Sequence, residues 1–100
     1  MAQVTPDLEL QEHVDFLLGV LLPSWQDVRR FAADWKDWSP DDRLDVLVEW
    51  GVRESRLQEL RDYADQGLLT PTQCARYQEL MLLIEKYRPI LERLRQSVDD

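Results

Sequence analysis

The sequence predicts an all-α fold, a single compact bundle of about five helices ending in a long, kinked C-terminal helix. Three observations lead there. Tyr77, Leu80, Ile84, Tyr87, Leu91, Leu94 and Val98 recur at spacings of three and four, which draws one apolar stripe down one helix. Upstream, shorter apolar-periodic segments are separated by helix-start and helix-stop signals. One hundred residues with 44% hydrophobic and 32% charged content suit one soluble domain with one core.

Thr5-Pro6-Asp7 opens the first helix, near residues 6–22, with a capping residue, a proline at the first position and an acid at the positive end of the dipole. Leu10, Val14, Leu17, Leu18 and Leu21 share a face, widened by Phe16, Val20 and Leu22 until Pro23 stops the helix. Its second half is expected to be almost wholly buried. Ser24 with Asp27 caps a second helix over 25–37, in which Trp25, Val28, Phe31, Ala32 and Trp35 point inward. Trp25 and Trp35 read as core; Trp38, beside a turn, reads equally as core or as an interaction hot spot.

Ser39-Pro40-Asp41-Asp42 starts a third helix, 40–50, with Leu44, Leu47 and Val48 inward. The apolar phase slips at Gly51, because Leu57, Leu60 and Ala64 do not continue that stripe, so a fourth helix is placed at 53–66. Gly67-Leu68 ends it, with Tyr63 placed to meet Leu68. Thr70-Pro71-Thr72-Gln73 then starts the fifth helix, 71–97, as a capping box, making an antiparallel hairpin. Pro89 removes a hydrogen bond to Glu85 and is expected to kink this longest, central helix near Arg88.

The run Leu57-x-x-Leu60, Gly67-x-Leu69-Thr70 and Tyr77-x-x-Leu80 resembles the C-terminal helical hairpins of the SHOCT type over residues 57–91. The Leu-Thr-Pro-x-Gln start and the late proline are similar to those of small all-helical bacterial proteins of the cyanobacterial type. That resemblance implies an oligomerising or partner-binding hairpin with no catalytic residue. Gln73 and Cys74 stand where SHOCT-type hairpins usually carry an acid and a Phe.

Charge narrows the function classes. The net charge is −8, and residues 1–50 hold eleven acids against four bases, whereas residues 51–100 hold nine against eight. This field repels phosphate backbones and argues against nucleic acid as a partner. The apolar run Phe16 to Leu22 is too short to cross a bilayer, and the first fifteen residues lack the basic start of a secretory signal, so the chain reads as mature from Met1 with no membrane partner. Cys74 is the sole cysteine, which suits a reducing cytoplasm.

Three constellations could carry chemistry. Asp41-Asp42-Arg43-Leu44-Asp45 spells an Asp-Asp-x-x-Asp pattern able to share divalent cations, but helix capping accounts for its acids and no second acidic motif exists. His13 lies one turn after Glu9 and reads as a solvent-facing pair, since one histidine without partners is a poor zinc site. Cys74 sits in a helix's first turn, where the dipole favours a thiolate, yet nothing nearby in sequence supplies a base. Ten Arg against two Lys favour fixed ion pairs, and the hairpin's alternating charges suggest i,i+4 pairs on a solvated face.

The expectation is therefore a non-enzymatic cytoplasmic interaction module, a small adaptor or regulatory subunit, without cofactor or metal. Its partner is a protein or a second copy, and the candidate partner-binding residues are Trp38, Leu82, Leu83 and Ile90. The alternative is an acidic inhibitor or antitoxin-like protein that occupies a basic groove. An enzyme using Cys74 or the Asp41 to Asp45 cluster is a minor third.

Overall fold

A computed structural model describes residues 8–97. All of its regular structure is helical: α1 (Leu8–Gln26), α2 (Val28–Asp34), a 3₁₀ turn (Trp35–Asp37), α3 (Pro40–Asp65) and α4 (Pro71–Ser97). α2 continues the direction of α1 after a break at Asp27, so the fold is three rods rather than five helices. The predicted Thr5 cap and the last stripe member, Val98, lie outside the described residues.

Side-chain pairs give the topology. His13 meets Glu59, Ser24 meets Arg53 and Trp25 meets Trp50, so α1 and α3 run antiparallel. Asp15 meets Arg76 and Trp25 meets Arg88, so α1 and α4 run parallel. α1, not α4, is the central element, because it packs on both other rods while the α3 and α4 backbones stay apart along most of their length. Three rods of about 40 Å lie side by side, and the extents are 59 × 21 × 17 Å. The radius of gyration, 15.9 Å, exceeds the ~13 Å of a compact domain of this size, so the molecule is elongated rather than compact.

The core follows the predicted stripes of α1 and α4. Val14, Leu17, Leu18, Leu21, Leu80, Ile84, Tyr87 and Leu91 are buried, with Trp25, Val28, Trp50, Leu57 and Leu60 closing the cluster. Phe16 and Gly19 face solvent and Val20 is half-buried, so the second half of α1 is not wholly buried as expected. Its apolar residues outnumber the positions that α3 and α4 can cover.

Three helix-end signals act as read. Ser39 Oγ accepts from Asp42 N at 3.1 Å with Pro40 at the first position. Ser39→Ala should cost about 1 kcal/mol in urea denaturation, and an unchanged midpoint would contradict the cap. Gly67, at φ 74°, closes α3, with Leu68 N donating to Tyr63 O at 3.1 Å and Gly67 N to Ala64 O at 3.0 Å. Gln73 N donates to Thr70 Oγ1 at 3.2 Å and Thr70 N to Gln73 Oε1 at 3.0 Å, the reciprocal capping box.

Two expected breaks and one expected kink are absent or displaced. α1 runs through Pro23, and Ser24 does not cap a helix: its hydroxyl donates to Val20 O at 2.7 Å and accepts from Arg53 Nε at 2.9 Å. Pro23 and Gly19, whose carbonyl the proline leaves unbonded, are both exposed, so water can serve that oxygen. The proline and the serine back-bond bend this arm instead, and the chain breaks one turn later, at Asp27.

α3 passes through Gly51 without interruption. The phase slip seen in sequence marks two faces of one helix: Trp50, Leu57 and Leu60 face the core, and Leu44, Val48 and Val52 face away, at 51%, 65% and 54% exposure. Leu44 and Val48 are thus not inward as predicted, and Leu47 is only half-buried. α4 likewise runs through Pro89 unbroken, and the kink lies in the N-terminal arm rather than here. Pro89 and Glu85 are exposed, while Ile84, Tyr87 and Leu91 hold the opposite face in the core.

Candidate functional site

The side of the molecule where the N-terminal arm meets α3 holds Trp38, the Asp41 to Asp45 cluster and His13, whereas Leu82, Leu83, Ile90 and Cys74 lie on α4. Trp38 is half-buried, 5.8 Å from the Trp35 ring and 6.3 Å from Phe31. Phe31 in turn packs on Trp50 at 5.8 Å, and Trp50 meets Trp25 edge-on at 5.0 Å. Trp25, Trp35 and Trp50 are core, and Trp38 is the rim of their cluster. The Trp50 indole N–H is buried without a hydrogen-bond partner, a local cost of about 1–3 kcal/mol.

A groove runs along the α3 flank beside this cluster. One part, of about 310 Å³, is lined by Trp38, Asp42, Asp45, Val46 and Glu49. The next, of about 210 Å³, continues past Val46 and Glu49 to Phe31, Trp50 and Arg53. A third reaches Val20, Val52 and Arg56. Arg56 lies over Phe16 at 5.2 Å, so exposed Phe16 borders the same end.

The electrostatics are lopsided along α3. Among the described residues Asp41, Asp42 and Asp45 have no salt-bridge partner. Arg43, the one base among them, turns away: its Nε donates to Trp35 O at 2.9 Å and its Nη2 to Lys36 O at 3.0 Å, tying the 3₁₀ turn to α3. No group of three metal-ligating side chains lies together among the described residues. The acids of the Asp-Asp-x-x-Asp pattern serve as the first turn of α3 and as one rim of the groove.

His13 does not pair with Glu9. It bonds across to α3, with Nε2 2.8 Å from Glu59 Oε2, and the Tyr63 hydroxyl donates to that same oxygen at 3.0 Å. A partner 46 residues away is invisible to local spacing. The His13 bond is the largest influence on Glu59 and holds its carboxyl below the usual range; partial desolvation opposes it, and the Tyr63 bond and the His13 charge assist. The bond to Glu59 pushes the Tyr63 hydroxyl above its usual range.

A carboxyl depressed in the fold adds stability above its unfolded value of about 4.3, lost as pH falls through the folded value. The advantage of wild type over Glu59→Gln in denaturation should thus shrink between pH 6 and pH 3. Both side chains are about two-fifths exposed, so the advantage at neutral pH should stay below about 1 kcal/mol. A difference growing toward acid would contradict the assignment.

Cys74 is exposed in the first turn of α4, its Sγ 3.8 Å from Leu69 O. The imidazole bonds to Glu59, and the thiol to a backbone carbonyl. Of the partner-binding candidates on α4, Leu82 is 68% exposed, whereas Leu83 and Ile90 are half-buried and packed on the core. Ring contacts hold Trp38 to the N-terminal arm instead. The basic residues divide between local pairs, such as Arg53 with Glu49 across the expected break at Gly51, and ties between rods that sequence did not reveal. Arg88 spans α4 to α3 with both terminal nitrogens on Glu54, at 3.0 and 3.3 Å.

No helix of the described residues is long and apolar enough to cross a membrane. No protein-family model, curated protein or solved structure matches the chain.

Proposed function

We propose that the chain is a non-enzymatic protein-interaction module, an adaptor or regulatory subunit that works by docking. The observation that carries this reading is the second stripe of α3. Leu44, Val48 and Val52 are patterned like a core face yet point away from the bundle. Contiguous exposed apolar residues rimmed by charge are the usual mark of an interaction surface. Exposed Phe16 and half-buried Trp38 extend the apolar surface at either end of the adjoining groove. Leu82 is a smaller, separate candidate on α4, where Leu83 and Ile90 contribute only their exposed edges. The sequence resemblance of residues 57–91 to SHOCT-type hairpins points the same way, and an exposed free thiol at Cys74 suits a reducing cytoplasm.

Affinity capture combined with light scattering tests this, comparing wild type with Val48→Asp. The expected result is a stoichiometric partner, or self-association, that Val48→Asp abolishes. A wild-type monomer that retains no stoichiometric partner would overturn it.

The second reading, an acidic inhibitor or antitoxin-like protein, draws on the unpaired carboxylates Asp41, Asp42 and Asp45. In that case binding should weaken steeply with salt and respond more to Asp42→Asn and Asp45→Asn than to Val48→Asp.

A further inference from the structure

We infer that the outward face of α3 is a docking surface for a basic amphipathic helix, with Leu44, Val48 and Val52 as its apolar ridge and Asp41, Asp45 and Glu49 as its charged wall. This rests on the interaction reading above and adds the surface and the chemistry of the partner.

Helical geometry places the apolar residues. Residues 44, 48 and 52 are spaced four apart, so they form a ridge about 12 Å long on the side of α3 opposite Trp50 and Leu57, which are buried. Such a ridge matches the i, i+3, i+4 anchors of a partner helix. Gly51 adds a second, independent feature. It lies on the same exposed face, beside Val48 and Val52, and a Cβ built there meets nothing within 4 Å. The fold of the free chain therefore does not need a glycine at this place, and a helix-interior glycine weakens a helix relative to alanine. A notch without a side chain lets a second backbone come close, as small residues do at helix–helix contacts.

Charge selects the occupant. At about 100° per residue, Asp41, Asp45 and Glu49 fall on one flank of the ridge. Asp41 and Asp45 have no cationic partner among the described residues, and Arg43 is held on the carbonyls of the 3₁₀ turn. Only Arg53 compensates Glu49, at 3.6 Å. With a net charge of −8 on the chain, a second copy would bring its own excess of acids to this wall. A helix with Lys or Arg along one edge of its apolar face would neutralise it.

The test uses the full chain and two designed peptides of about 18 residues, enough for about five helical turns, with one Leu stripe and either Lys or Glu elsewhere. The Lys peptide should bind wild type, more weakly as salt rises, and the Glu peptide should not. Val48→Asp should weaken binding about tenfold or more, even though its added negative charge alone would strengthen attraction to lysine. Gln78→Asp makes the same charge change at an exposed position on α4, away from both candidate surfaces, and should leave binding unchanged. Gly51→Ala should raise the denaturation midpoint while weakening peptide binding, a pairing that general loss of structure does not produce. Leu44→Asp serves as the second variant if Val48→Asp folds poorly by circular dichroism. Equal binding of the two peptides, or undiminished binding by the Asp variants of α3, overturns the proposal. If neither peptide binds but the chain self-associates in a manner that Val48→Asp abolishes, the basic-helix proposal falls and the interaction reading stands. If Val48→Asp changes none of peptide binding, self-association and partner capture, both fall.

Discussion

Trp25→Ala should lower the unfolding free energy by about 3–5 kcal/mol, the range for removing a large buried aromatic. Trp25 is 1% exposed and lies where all three rods meet. Its ring stands edge-on to Trp50 of α3 at 5.0 Å, and the Arg88 guanidinium of α4 lies over it at 5.2 Å. The substitution would leave a cavity beside Leu21 and Val28, both fully buried. It would also take the ring from under Arg88, although that side chain keeps its two bonds to Glu54. Trp25→Phe retains part of the ring packing and should cost clearly less. Urea denaturation followed by circular dichroism measures both, and a loss below about 1 kcal/mol for Trp25→Ala would mean that the rods do not converge on this residue.

Gln73→Glu should be the most damaging conservative change in the chain, costing about 2–4 kcal/mol through a buried charge and lost hydrogen bonds. Gln73 is 3% exposed and works in two directions at once. Its Oε1 accepts from Thr70 N, which completes the cap of α4, and its Nε2 donates to Gln11 O and Asp15 Oδ1 on α1, each at 3.0 Å. A carboxylate could still cap the helix. It could not donate, and it would face the acceptors of Gln11 and the charge of Asp15 at close range. Asp15→Asn should recover part of the loss, and the penalty should shrink as the pH falls, because burial and Asp15 both raise the pKa of the introduced carboxyl. Equal stability of Gln73→Glu and wild type at pH 7 would show that this tie between α1 and α4 does not form.

These two residues also mark how far the sequence was legible. The capping role of Gln73 follows from its spacing after Thr70, as that of Ser39 follows from its place before Pro40. Caps are local, and three or four residues specify them. The other half of Gln73, its bonds to Gln11 and Asp15, joins residues about sixty apart and has no local signature. The same holds for His13 with Glu59 and for Arg88 with Glu54. Periodicity located the seams of α1 and α4 for the same reason that it located the caps.

The misread breaks share one physical cause. Pro23, Gly51 and Pro89 are all exposed, and on the far side of each helix buried residues hold the rod in place. A lost or weakened backbone bond on a solvated face costs far less than abandoning a packed one, so tertiary packing overrides the local propensity. Pro23 bends its helix and Pro89 is absorbed. At Gly51 the change of apolar phase was real, but it separates an inner face from an outer one, not two helices. This error is the informative one, because it shows that α3 carries more apolar patterning than the bundle uses.

Whether that outer stripe is free of the core in the isolated chain is the central claim, and one measurement reaches it most directly. The unfolding free energy of the double variant Leu44→Gln with Val48→Gln, which adds no charge beside Asp41, Asp45 and Glu49, should lie within about 1 kcal/mol of wild type with an unchanged denaturant slope when the monomer is denatured in urea, as exposed substitutions do. If the stripe were instead part of the core, two buried amides would lower the stability by several kcal/mol, and that loss would contradict an outward-facing α3 docking surface.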